Sequence, residues 1–300
     1  MKRQQLNDKS AKHLLSELRD IFLQKEIFFA LGRHIVFVCG GTKRTSFRSR
    51  FLTYTKKHNP ELKIFLAEDA VKNLLSHSKA EFVNLAQFED LIASLFDSIL
   101  VFPESPGSIA ELGYFSNSEK LQNKILVVND SQLQGDSFIN LGPIATIDNV
   151  SIYRPTIYID KKNPDYKIVI KQLLRYNKNR IQRDRFEYNK YKNLNTRDKF
   201  AVVLEIISIL RGVNISGIQK CLKTIVGGYE EKEINRFLSI LQTAGFIERL
   251  GSNYEYFSLT KNTRTLLDIE HYDVDLLRAR AIEYFRKHDK VTYDSVWGEK

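Results

Sequence analysis

Hydrophobic positions change their period several times along the chain, and the changes mark out its elements. Leu14, Leu15, Leu18, Ile21 and Phe22 recur at helical spacing and predict an opening amphipathic helix. An unbroken apolar run follows, Ile35-Val36-Phe37-Val38-Cys39, closed by Gly40-Gly41. Its length and its glycines predict a strand buried on both faces, then a tight turn. Phe47, Phe51, Leu52 and Tyr54 restore helical spacing over residues 45–57, and residues 62–66 form a second strand with Glu68-Asp69 beyond it. Leu85, Phe88, Leu91, Ile92 and Leu95 predict a helix leading into a third strand at residues 98–102. The loop Pro103-Glu104-Ser105-Pro106-Gly107 precedes a helix from about Ser108, and residues 124–128 form a fourth strand. This β-α-β-α-β alternation predicts an α/β fold with a doubly wound parallel sheet. Ligands in such sheets bind beyond the carboxyl ends of the strands. Gly40-Gly41, Glu68-Asp69 and residues 103–111 all fall at that edge.

Past Pro143 the pattern is irregular, with a hairpin expected over residues 152–159. Asn163-Pro164 reads as a helix start, with proline at the first helical position. Ile168, Leu173, Leu174 and Ile181 supply apolar contacts along the helix that follows. The last hundred residues predict three helices, at 200–210, 218–226 and 230–244, the third stopped by Gly245. A hairpin across Gly251-Ser252-Asn253 comes next, and Thr260 is placed to cap a final helix. Three helices followed by a β-ribbon is the winged-helix order. The expected organisation is therefore a helical extension (1–34), the α/β domain (35–160), a linker helix (161–194) and a winged-helix domain (195–300).

Charge changes this picture in one place. The net charge is +10, but residues 160–192 hold 11 Lys and Arg against 4 Asp and Glu, while the flanking segments are close to balanced. Such a block points to a polyanion, most simply nucleic acid, or to a solvated linker helix. Lys171, Arg175, Lys178, Arg180, Arg183 and Arg185 are its candidate nucleic-acid contacts. No stretch reaches the ~18 apolar residues of a membrane span, and the polar opening is no signal peptide. Cys39 and Cys221 lie in different expected domains, which argues against a disulfide and for a cytoplasmic location. The six histidines show no metal-ligand spacing, so no metal is expected.

The chemistry concentrates in residues 103–113. Gly107 would allow close backbone approach, and the helix N-terminus after it would offer N–H groups to phosphate or ribose oxygens. Glu111, one turn in, would face the same crevice, where a carboxylate could attack or stabilise an anomeric carbon as a nucleobase departs. Ser108-Ile109-Ala110-Glu111 is equally a capping box, in which Glu111 only satisfies the N–H of Ser108. Arg48 could meet a diphosphate, although an exposed helical arginine is commoner. Glu68-Asp69 could bind ribose hydroxyls or merely cap a loop. Asp97, before a strand, is more often structural. Cys39 reads as a small buried residue.

Several strings carry a family resemblance: Val36-Phe37-Val38-Cys39-Gly40-Gly41, Phe102-Pro103-Glu104-Ser105-Pro106-Gly107-Ser108 with Glu111-Leu112-Gly113, Phe115-Ser116-Asn117, and Ser137-Phe138-Ile139-Asn140 with Gly142-Pro143. The chain resembles the type II retron effectors, which join a nucleoside deoxyribosyltransferase-like domain to a C-terminal winged-helix domain. Specific strings cover residues 35–143; beyond them only the domain order is shared. The resemblance implies cleavage of an N-glycosidic bond, with NAD as leading substrate and no cofactor. It also implies assembly with a retron reverse transcriptase and its multicopy single-stranded DNA, in a higher-order or homo-oligomeric complex. Glu111 matches the family's catalytic glutamate, and Glu104 would orient substrate or water. Gly40, Gly41, Glu68, Asp69, Glu89 and Asp97 match positions around the pocket, which Cys39, Arg48, Gly107 and Ser108 would also line. The bulky Pro-Glu-Ser-Pro-Gly loop and Cys39 depart from the deoxyribose-transferring enzymes and count against free nucleosides as substrates.

The third helix of the expected winged helix carries Glu230, Glu231 and Glu233 against Lys232 and Arg236. Base-reading helices usually present Arg, Lys, Asn or Gln. Docking on protein or on shaped nucleic acid is expected instead, through wing aromatics that include Tyr254, Tyr256 and Phe257. The rival reading is a non-enzymatic nucleotide sensor coupled to a DNA-binding winged helix.

Overall fold

The computed structural model describes residues 5–30, 34–60, 62–66, 91–178, 184–251, 253, 255–261 and 263–298. They fall into two compact units, residues 34–178 and residues 5–30 with 184–298. The chain opens with α1 (Ala11–Phe22) and β1 (Ile27–Phe29), both in the second of these.

The first unit is built on β2 (Ile35–Cys39), β3 (Lys63–Leu66), β4 (Ser98–Val101), β5 (Ile125–Asp130) and β6 (Ile157–Ile159). They form one parallel sheet in the order β3-β2-β4-β5-β6. Among its helices are α2 (Phe47–His58), α3 (Pro106–Ser116), α4 (Ala145–Val150) and α5 (Tyr166–Lys178). Side chains alternate across a strand. Val36, Val38, Leu100 and Phe102 therefore share one face, packed against Phe47 and Phe51 of α2 and Tyr166, Val169 and Leu173 of α5. On the other face the Phe37 ring meets Phe96 at 5.3 Å and Phe115 of α3 at 6.2 Å. Helices thus cover both faces, as an all-parallel sheet requires.

Two expectations about residues 150–180 fail here. There is no hairpin over 152–159, because Ile157–Ile159 is a fifth parallel strand beside β5, reached through α4. The basic helix is no linker, because it closes one face of the sheet. It begins at Tyr166, whose buried hydroxyl donates to the Phe47 carbonyl at 2.9 Å. Tyr166, Val169, Ile170 and Leu173 are buried, each worth about 1.5–3 kcal/mol. The cations Lys167, Lys171 and Arg175 occupy the outer side at intervals of four. Segment charge counts cannot distinguish a one-sided helix from a solvated one.

The second unit continues with α6 (Thr196–Leu210), α7 (Ile215–Val226) and α8 (Glu231–Thr243), then the antiparallel pair β7 (Ile247–Leu250) and β8 (Tyr256–Leu259). It ends with β9 (Leu267–Ile269), α9 (Val274–His288) and α10 (Lys290–Trp297). Asn195 caps α6 and Asn214 caps α7; Gly227 (φ +77°) and Gly245 (φ +71°) supply the left-handed turns after α7 and α8. Val213 pairs with Phe257 and adds a rung beside the β7–β8 hairpin. The N-terminal segment is not a separate extension. Its apolar side, with Leu14, Leu18 and Phe22 buried, packs on α7 and α9, and β1 pairs antiparallel with β9. Thr260 does not cap the last helix; its hydroxyl donates to the Gly245 carbonyl at 2.7 Å, and β9 intervenes before α9. Among the described residues no helix is long and apolar enough to cross a membrane.

Candidate functional site

The strand order places one crevice. β2 leads outward to β3, and the chain then returns to β4 on the other side of β2. The carboxyl ends of β2 and β4 thus flank the topological switch point, where open α/β sheets bind ligands. Gly40-Gly41 follows the first of these strands and residues 102–108 the second.

The β2 side is closed by the protein's own groups. The Glu104 carboxylate accepts from the backbone N–H of Gly41 (3.1 Å), Phe47 (2.7 Å) and Arg48 (3.0 Å). It therefore fills the N-terminal turn of α2, where the orphan N–H groups and the helix dipole favour an anion. Ser46 completes that cap by accepting from Ser49 N–H at 3.1 Å. Arg48 is 3% exposed, so it is not the solvated helical arginine that residue statistics favour. Its Nε donates to the Gly41 carbonyl at 3.0 Å. The glycines serve this packing: a Cβ on Gly40 would stand 2.7 Å from Arg48 Cβ, and one on Gly41 would stand 3.1 Å from Ser46 Cβ. Behind the loop lies Tyr166, whose hydroxyl pKa is pushed up to about 12, first by burial and also by the Glu104 charge.

The β4 side is finished differently. α3 starts at Pro106, earlier than expected, and Ser105 rather than Ser108 is its N-cap. The Ser105 hydroxyl accepts from Ser108 N–H at 3.2 Å, while Ser108 Oγ accepts from the N–H of Ser105 at 3.0 Å and of Glu104 at 3.2 Å. This neutral box replaces the expected Ser108–Glu111 one and commits Ser108 to the backbone. Pro106 has no N–H. Gly107, exposed and with open space over it, keeps the first-turn donor that the cap does not use. Glu111 follows Gly107 by four residues, on the same side of α3, and is half-buried. Both glutamates are half-buried, and Glu104 is held by backbone N–H groups of the β2 loop and α2.

Residues 44–249 match the family model described as STM3845 retron effector protein. The chain belongs to that retron effector family. It is 26% identical over 282 residues to an Escherichia coli protein named "Retron Ec86 putative ribosyltransferase/DNA-binding protein", covering 86% of this chain and 89% of that one. A Retron Ec73 protein of Escherichia coli with the same description is 32% identical over 124 residues, 40% of this chain and 39% of that one.

Other expected pocket residues of the effector lie elsewhere. Asp97 sits at the amino end of β4, on the opposite edge of the sheet, and its carboxylate accepts from Ile35 N–H at 2.9 Å. Its role there is to join β2 to β4. Cys39 is fully buried within β2. Glu68, Asp69 and Glu89 lie outside the described residues. Sequence reasoning missed Asn129 and Asp130, which end β5 at the carboxyl edge and are buried. A polar pair closing an apolar strand was the available signal. Asn140 was noticed only as part of a string. Its amide donates to the Leu133 and Gly135 carbonyls at 2.7 and 2.6 Å, and it fixes the loop after β5.

The basic residues divide between the units. Lys171 and Arg175 are exposed on α5. Arg185 belongs to the other unit, where its Nε donates to the Lys25 carbonyl at 2.8 Å. The side chain of Lys178, and Arg180 and Arg183, lie outside the described residues. The acidic start of α8 is less uniform than its sequence. Glu233 turns inward to Lys199 at 3.1 Å and accepts from the Tyr191 hydroxyl at 2.6 Å, leaving Glu230 and Glu231 exposed. Tyr256 and Phe257 are not a docking surface but core, 0% and 1% exposed; Tyr254 lies outside the described residues. Glu26, Glu270 and His271 bring metal-ligand atoms together, but Glu26 and His271 are exposed, with His271 Nε2 already 2.8 Å from the Glu26 carboxylate.

Proposed function

We propose that this retron effector cleaves the N-glycosidic bond of a nucleotide, with NAD the leading substrate. Glu111 carries the reading: a half-buried carboxylate on α3, the helix that starts at the switch point, four residues beyond exposed Gly107. As the C–N bond breaks and its electrons leave with the base, Glu111 stabilises the cationic anomeric carbon or bonds to it. Water then takes the sugar. Glu104 supports this chemistry from behind, by holding the β2 loop against α2. The names of the two curated relatives, which include ribosyltransferase, support glycosyl-group chemistry as the class. Free nicotinamide released from NAD by purified protein is the expected result; release of no base from NAD or from related nucleotides rejects the enzymatic reading in favour of the sensor.

The second unit is read as a winged helix: α6, the Val213 rung, α7, α8 and the β7–β8 hairpin follow in that order. The effector is further proposed to work in the cytoplasm, assembled with a retron reverse transcriptase and its DNA–RNA product. The Lys167, Lys171 and Arg175 stripe supports a polyanion partner. Reversing those three charges should flatten the salt dependence of binding to that DNA–RNA, each phosphate contact contributing about 0.7–0.9 to the slope.

A further inference from the structure

A polar cleft of about 180 Å³ opens in the second unit, beside α7 and the turn that leads to α8. Its floor is rigid. Gln5 is 1% exposed, and its amide donates to Thr292 Oγ1 at 2.8 Å and to the Gly212 carbonyl at 3.2 Å, while its Oε1 accepts from Asn214 N–H at 2.8 Å. A backbone bond from Gln5 N–H to Ser216 Oγ at 3.1 Å fixes the floor against α7. Gly217 is required there, because a Cβ would stand 2.8 Å from Gln5 Oε1. Above this floor stand Gln219, Lys220, Lys223 and Tyr229, and no lining residue is acidic. Among the described residues neither lysine pairs with a carboxylate, in contrast to Lys199 and Lys287, which do. Tyr229 is 42% exposed, a large aromatic surface left open at the rim.

We propose that this cleft binds one unpaired nucleotide of a single-stranded nucleic acid, its base against Tyr229 and its flanking phosphates on Lys220 and Lys223. The two lysines are three residues apart on one side of α7 and lie within reach of neighbouring phosphates. The Gln219 amide offers both a donor and an acceptor to a base edge. A base of any identity can stack on an aromatic ring, because every base has a π-face. An acidic peptide would meet the lysines but leave the ring and the amide unused. A duplex fits poorly, because exposed Glu230 and Glu231 follow Tyr229 directly and repel further phosphate. The site is independent of the glycosidic chemistry and of the α5 stripe.

The test uses the full chain and a short oligo-thymidylate carrying one 2-aminopurine, followed by fluorescence and anisotropy across a salt series. Tyr229→Ala should weaken binding roughly tenfold or more and abolish the 2-aminopurine quench, while Tyr229→Phe keeps both. Lys220→Gln with Lys223→Gln should lower the salt slope by about 1.4, the share of two single-strand phosphates. Parallel titration with oligo-uridylate identifies which strand type fills the cleft. Quench and slope unchanged in both variants would overturn the proposal, as would a polyglutamate peptide competing as well as the oligonucleotide. Base release from NAD should be the same in every variant, so failure here is distinct from failure of the enzymatic reading.

Discussion

Two helices begin at the carboxyl edge of the sheet, and their first turns are completed in opposite ways. α2 receives a full negative charge: Glu104 takes the N–H groups of Phe47 and Arg48, and Ser46 takes that of Ser49. α3 receives only the neutral Ser105–Ser108 box, with proline at its first position. The dipole of α2 is therefore neutralised from within, whereas that of α3 still faces the crevice with Glu111 one turn behind it. The difference gives Glu104 a backbone-holding place in the fold where the sequence had it orienting substrate or water. Glu104 is fixed by three backbone N–H groups, and Glu111 is the glutamate to which the proposed reading gives the chemistry.

The sharpest way to break this comparison is Glu111→Gln. Base release should fall at least roughly 10²–10³-fold, the scale of losing one contact to developing charge. Stability should fall by no more than about 1 kcal/mol, since the amide keeps the side chain's size and an accepting oxygen. A variant that melts early but keeps its specific activity would make Glu111 structural instead. Glu104→Ala should do the reverse. It strands the N–H groups of Gly41, Phe47 and Arg48, costing about 2–4 kcal/mol in a denaturant titration. Activity should then track the folded fraction.

The glycines on the two sides sharpen the contrast at smaller scale. Gly40→Ala forces a Cβ to within 2.7 Å of Arg48 Cβ and should destabilise by about 1–3 kcal/mol. Gly107→Ala meets nothing within 4 Å and should stabilise α3 by up to about 1 kcal/mol. Substrate affinity measured on that variant reports whether backbone approach at Gly107 matters. A third helix start, that of α6, gives the smallest expected effect. Asp198 is raised to about 6, first by burial and also by Glu187, against the opposing charge of Arg197. The folded chain thus prefers the protonated form. Its contribution is complete below about pH 3.8 and is lost as pH rises through about 6. Asp198→Asn should therefore gain about 1 kcal/mol at neutral pH, after allowance for solvent screening, and nothing at pH 3.5. A pH series of thermal melts shows whether the two curves converge on acidification.

Much of the frame was legible because it depends on local pattern. Strands β2 to β5 announced themselves as short apolar runs, and the three helices α6 to α8 as helical spacing, the third stopped by Gly245. β6 was not legible, since three residues flanked by Tyr153, Pro155 and Asp160 carry no period. The basic helix was misassigned because charge dominated its composition. Its four buried residues only show their purpose once the sheet has an uncovered face. The family strings drew attention to the loop after β4 but could not show that Glu104 reaches back to Gly41 and α2.

What the chain determined by itself was the order of its elements and the clustering of its chemistry between Gly40 and Glu111, because hydrophobic period and turn chemistry act over a few residues. Only the tertiary structure decided which polar groups meet. Glu104 and Gly41 are 63 residues apart, Asp97 and Ile35 62, and Gln5 and Asn214 209. Hydrogen bonding is short-ranged in space and indifferent to separation along the chain. Which backbone groups a carboxylate meets therefore depends on which segment the fold brings beside it.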